Sequence, residues 1–234
     1  MQDPSRIAIA LLAAVATIAG CGGGGLGANP GTDNPNTARV RSLHALTDSS
    51  DIHVNLGTRR LADALELGEA GLYRSVPPTQ QNVSVLRASD NGLVFPARPV
   101  QPRTNISQTL LIAGTIANPT VALIDDTPGE APEDFTKLRF IHAASGASNQ
   151  TVDVYVTSTE STFRARTFRA ISFARASAIQ VVPSATVRVR VYPTGQQTPV
   201  LAELTGVPLS SRGFSTFLLL TEADGRLDFA RINE

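Results

Sequence analysis

Arg41-Ser-Leu-His44-Ala45 returns later in the chain as Arg139-Phe-Ile-His142-Ala143. Each copy is soon followed by an acid and an alternating stretch, Asp51-Ile-His53-Val54 and Asp153-Val-Tyr155-Val156. Further stretches fall into line: Tyr73 near Phe173, Asn82–Val85 with Thr186–Val189, and Thr109–Ile112 with Thr216–Leu219. The spacing between copies grows from 98 residues at Arg41 and Arg139 to 107 at Thr109 and Thr216. Insertions of that kind sit in the loops of a β-sandwich, where strand faces tolerate none. A duplicated sandwich is therefore the fold that this pattern demands.

The segments between loops support it. Thr186-Val-Arg188-Val-Arg190-Val-Tyr192 alternates strictly, with valines for one face of a strand and arginines for the other. Outside the N-terminal stretch no segment holds a 3.6-residue period for long; Leu61–Ala70 is expected to form at most one short helical turn. Trp is absent and aromatic residues make up only 5% of the chain, so the cores must be mostly Val, Ile, Leu and Ala, with single Phe or Tyr plugs. We expect an all-β protein of two tandem antiparallel, immunoglobulin-like β-sandwich domains at residues 38–130 and 136–234, joined by an acidic, proline-containing linker over Asp125–Asp134.

The first 37 residues are different. Residues 7–18 are an apolar run too short to span a bilayer, and Ile18-Ala19-Gly20-Cys21 resembles the bacterial lipobox. The resemblance implies a lipoprotein signal peptide at residues 1–20, an acylated Cys21 holding the protein to a membrane, and an envelope location. Gly22, in place of an Asp, favours the outer membrane. Residues 21–37, rich in Gly, Asn and Pro, read as a flexible tether. Cys21 is the sole cysteine, so an intrachain disulfide is excluded.

The paired openings, Arg-x-x-His-Ala followed by Asp-(Ile/Val)-x-Val, resemble the DUF4397 family of bacterial envelope proteins. The second copy is the nearer match, with Leu138-Arg-Phe-Ile-His-Ala143 and Val152-Asp-Val-Tyr-Val156. The first has His53 where the second has Tyr155, and neither keeps the family's Ser-Pro-Asp-Ala-Pro stretch. The resemblance implies a β-sandwich in exported proteins and carries no assigned activity.

Candidate sites are few. His44 and His142 read as packing residues that hydrogen-bond Asp51 or Asp153, or a backbone carbonyl, rather than as metal ligands or bases, and Arg41 and Arg139 as solvent-face or salt-bridge residues. With only three histidines and no free cysteine, a zinc site is not expected. No Gly-x-Ser-x-Gly elbow occurs, and neither a catalytic residue nor a cofactor is assigned. Asp125, Asp126, Glu130, Glu133 and Asp134 are a weak candidate for Ca²⁺ at the linker; a solvated charged linker is the better reading.

Charge divides mildly between the halves. Residues 38–135 carry 8 basic and 11 acidic groups, and residues 136–234 carry 11 and 7. Nucleic-acid binding is not implied. Arg166, Arg169, Arg188 and Arg190, with Arg175 and the Phe163–Arg169 stretch, could form a basic face for lipopolysaccharide phosphates or acidic glycans. The expected role is a non-enzymatic binding, structural or adhesive module of the envelope. The alternative is a periplasmic accessory factor that docks an envelope protein by its sheet edge, and a hydrolase is a distant third.

Overall fold

The computed structural model describes residues 36–126, 129–146, 151–158 and 165–233. The leader, Cys21 and nearly all of the tether lie outside the described residues, as do Phe163 and Arg164. The described residues form one compact unit. Among the described residues there are seventeen strands and no helix.

The first half runs β1 (Ala38–Leu46), β2 (Ile52–Leu56), β3 (Arg59–Leu65), β4 (Arg74–Val76), β5 (Gln81–Arg87), β6 (Leu93–Val100), β7 (Ser107–Gly114) and β8 (Pro119–Asp126). The second runs β9 (Phe135–His142), β10 (Thr151–Ser158), β11 (Arg166–Ser172), β12 (Arg175–Ala176), β13 (Gln180–Pro183), β14 (Thr186–Pro193), β15 (Ala202–Pro208), β16 (Gly213–Thr221) and β17 (Leu227–Asn233). The sheet orders duplicate: β3-β2-β5-β6 and β4-β1-β7-β8 in the first half, β11-β10-β14-β15 and β12-β9-β16-β17 in the second, with β13 also on β9. The expected β-sandwiches are present. Pairing is antiparallel except at β1 with β7 and β9 with β16, which are parallel.

Three apolar cores separate four layers. One lies inside the first sandwich, around Val40, Ile52, Val54, Val85 and Leu110. A second lies inside the other, around Phe140, Val154, Phe168, Val189 and Phe217. The third joins the two inner sheets through Leu43, Ala45, Leu111, Ile141, Leu218 and Ile232. β1, β7, β9 and β16 are therefore buried on both faces almost throughout. The expected linker is displaced accordingly: Asp125 and Asp126 are the last residues of β8, inside a sheet. The two sandwiches share a core instead of swinging on a hinge.

The registers correct the correspondence in the middle of the chain. Val54 lies opposite Ala62 and Val85, and Val154 lies opposite Phe168 and Val191. His53 therefore matches Asp153, two residues from the alignment read off the motifs, and Val85 matches Val191. Side-chain faces repeat every second residue, so a two-residue slip leaves the inward and outward pattern unchanged and cannot be seen in alternation alone. The openings and the final strands do match as expected: Arg41 lies opposite Thr109, and Arg139 opposite Thr216.

The helical turn expected within Leu61–Ala70 is not formed; β3 continues to Leu65. Ala64 has φ of 44° and the register shifts at this point, so Leu61, Ala62 and Leu65 are all buried. A bulge thus produces the spacing of a helical face. After β3, the Gly68 N–H donates to the His44 carbonyl at 2.8 Å, as that of Ala174 does to His142 at 2.7 Å. The residue before each turn, Leu67 or Phe173, packs into the shared core. Phe173 is thus the counterpart of Leu67 and not of Tyr73.

Candidate functional site on the outer face of the second sandwich

Because the inner sheets are covered on both sides, the broad exposed faces belong to the two outer sheets. In β14 the buried Val187, Val189 and Val191 point to the core, and Arg188 and Arg190 point outward. Tyr155 of β10 stands opposite Arg190, and Asp153 opposite Tyr192. The Tyr155 and Tyr192 rings meet edge to face, with centroids 5.3 Å apart at 89°. With Arg190 and Gln197 they line a cavity of about 290 Å³. The Arg190 Nε is buried and has no hydrogen-bond partner among the described residues.

The four arginines singled out from sequence do not gather. Arg188 is held by Glu203, with Nε and Nη2 at 3.0 and 2.5 Å from Oε1. Arg166 and Arg169 are exposed on β11, which β10 separates from β14. Arg175 belongs to β12, in a different sheet. Of the set, Arg190 alone lines this cavity. The residues that sequence reasoning missed are Tyr155 and Tyr192. Their signal was rarity, since the chain has three tyrosines and two of them meet here.

The first sandwich serves as an internal comparison. Its register places Asn82, Ser84, Leu86 and Asn55 where the second has Arg188, Arg190, Tyr192 and Tyr155. The same scaffold folds with small polar or aliphatic groups at these positions. The tyrosine and arginine cluster is therefore no requirement of the fold.

Asp153, on the same outward face, spends its carboxylate on the backbone. Oδ1 accepts from Ala170 N at 2.7 Å and Oδ2 from Gly195 N at 3.1 Å. His53 does the equivalent work in the first sandwich, its Nδ1 accepting from Ala64 N at 3.0 Å. Ala64 and Ala170 are the positive-φ bulge residues of β3 and β11, at 44° and 51°. Each bulge turns an N–H away from the ladder, and a side chain on the neighbouring strand satisfies it.

Of the partners expected for the histidines, His44 takes backbone groups. His44 Nδ1 accepts from Leu46 N at 3.2 Å. Burial lowers the His44 pKa to about 4; the Ser50 carbonyl and the Asp51 charge oppose that shift only in part. His142 sits edge-on to Phe173, with centroids 6.0 Å apart. Both are core residues of their strands.

Arg41 and Arg139 are buried, contrary to a solvent-face reading, because both faces of β1 and β9 are covered. They meet at Asp126, whose side chain is wholly buried. Arg139 Nη2 pairs with Asp126 Oδ1, Nη1 donates to the Asp125 carbonyl at 3.0 Å, and Nε donates to Thr216 Oγ1 at 2.9 Å. Asp126 Oδ2 accepts from Tyr73 and Thr109 hydroxyls, both at 2.7 Å. Arg41 donates to Thr109 Oγ1 at 3.0 Å and lies against the Tyr73 ring.

The same contacts dismantle the Ca²⁺ candidate. Asp126 is paired with arginine, Asp125 bonds Arg103 and Gln108, and Glu133 bonds Arg212 at 3.0 Å. Glu130 and Asp134 are exposed. Among the described residues no three His, Cys, Asp or Glu side chains gather as metal ligands.

Comparison with known proteins turns on residues 38–155, which match a domain of unknown function, DUF4397. The chain belongs to the DUF4397 family. The match covers the first sandwich and continues through β9 into β10 of the second. No curated protein matches the chain. Among solved structures it is similar to a candidate cell adhesion protein from Bacteroides uniformis, with 10% identity, TM-score 0.32, and 85% of this chain and 98% of that one covered. It is also similar to the C-terminally truncated tip fimbrial protein Mfa3 from Porphyromonas gingivalis, with 12% identity, TM-score 0.27, and coverage of 85% and 100%. Nothing of those proteins' roles carries over to this DUF4397 chain.

Proposed function

We propose that this protein is a non-enzymatic binding module of the bacterial cell envelope. Two copies of the DUF4397 domain, joined through a shared core, are held to the outer membrane by lipid on Cys21, and the outer face of the second sandwich is the binding surface. The observation that carries this reading is the difference between two faces built on one scaffold. Tyr155, Arg190 and Tyr192 stand where Asn55, Ser84 and Leu86 suffice for folding.

Docking of an envelope protein by edge pairing is less well supported. The outer-sheet edge β6 carries Pro96 and Pro99, and β15 ends in Pro208. The other two outer edges, β3 and β11, are bulged at Ala64 and Ala170. Prolines and bulges are the features that blunt strand addition.

The test is capture of envelope material by the full-length lipidated protein in phospholipid vesicles. Retention of envelope polysaccharide, lost when Tyr155 and Arg190 are both replaced by their first-sandwich counterparts (Tyr155→Asn, Arg190→Ser), supports the reading. No retention by the unaltered protein overturns it. Cys21→Ser is expected to release the protein from the membrane fraction.

A further inference from the structure

The geometry points to a ligand class for the Tyr155, Arg190, Tyr192 and Gln197 cavity: a pyranose bearing a carboxylate, that is, a uronic acid residue of an acidic glycan. This rests on the reading of the second outer face as the binding surface, and deepens it.

The aromatic component comes first. Two tyrosines at 89° form a corner. An aromatic face carries partial negative charge, and the C–H groups of a sugar ring carry partial positive charge, so a pyranose lies favourably against it. Tyr155, Tyr192 and Gln197 bring hydroxyl and amide groups to the lining, the types that hydrogen-bond sugar hydroxyls. At about 290 Å³ the cavity is at the small end of ligand sites, suited to one ring and not to an extended chain.

Charge decides the class of sugar. Arg188 is neutralised by Glu203. Asp153, the acid on the same face, is committed to Ala170 N and Gly195 N. Arg190 makes no ion pair among the described residues, and its Nε is buried without an acceptor. A buried donor left unsatisfied is destabilising. A carboxylate in the cavity pairs with the guanidinium through its Nη groups, in the planar geometry that guanidinium favours. A neutral sugar offers hydroxyls but no matching fork.

Calorimetric titration of the full-length protein with tetragalacturonate, its methyl ester and galactose 1-phosphate separates the possibilities. Tetragalacturonate is expected to bind, and the ester at least about tenfold more weakly, since esterification removes the charge and keeps the sugar. Arg190→Gln is expected to weaken binding by about tenfold or more, and Arg188→Gln by less than about twofold. Gln197→Ala, in a loop outside the sheet, gives a second measure of the same site if Arg190→Gln disturbs folding. Equal binding of acid and ester, affinity unchanged in Arg190→Gln, preference for galactose 1-phosphate, or no binding of any probe would each overturn the proposal. Envelope capture that persists despite such a result would leave the binding-module reading intact and remove only the uronate assignment.

Discussion

Arg139 and Asp126 form a buried ion pair across the boundary between the two sandwiches. Arg139 is 1% exposed and the Asp126 side chain not at all. Arg139 comes from the opening strand of the second sandwich, and Asp126 ends the last strand of the first. The repeated arginine thus acts where the copies meet. Arg41 and Tyr73 close round the same carboxylate, so its negative charge is shared between both halves.

Removing one partner strands the other. Asp126→Ala leaves the Arg139 guanidinium buried without its carboxylate, and such losses cost about 3–5 kcal/mol. The expected outcome is a lower urea midpoint. Any splitting of the transition into two steps would report that the sandwiches then unfold separately.

Acid should destabilise the fold through His44. Its pKa falls from 6.5 to about 4 on folding because burial disfavours the charged ring. The unfolded chain then binds the proton more readily than the folded one. This contribution is complete above pH 6.5 and is lost progressively as pH falls toward 4, reaching about 3 kcal/mol. Urea unfolding at several pH values, compared with His44→Phe, should show a shallower pH dependence in the variant.

Asp153→Ala should cost about 2–4 kcal/mol, since two backbone donors, Ala170 N and Gly195 N, lose a charged acceptor. Faster hydrogen exchange at those two amides would mark the cause. His53→Ala, which serves one donor at the matching bulge, should cost less.

Gly68 lies where the two halves meet. Its φ is +83°, and a Cβ there would stand 2.9 Å from the Ala230 Cβ and 3.1 Å from Leu220 Cδ2. Gly68→Ala combines backbone strain with overpacking of the shared core, and should destabilise by about 2 kcal/mol in thermal or urea unfolding.

Much of this was legible in the residues themselves. Alternation in Val187–Val191 set inward and outward faces, and the duplicated Arg-x-x-His-Ala motif set two copies of one topology, because both depend on local period and on repetition along the chain. Three things were decided only in three dimensions. The correspondence of β2 with β10 depends on the hydrogen-bonded partners of each, and a slip of two residues preserves every face. The bulges at Ala64 and Ala170 place apolar residues at helical spacing within a strand. The burial of Arg41, Arg139 and Asp126 follows from one inner sheet packing on the other. A strand covered on one side and a strand covered on both can carry the same alternating charge, and only the packing of the halves tells them apart. The tyrosine and arginine corner has the same origin: Tyr155 is far in sequence from Arg190 and Tyr192 and meets them only once β10 pairs with β14.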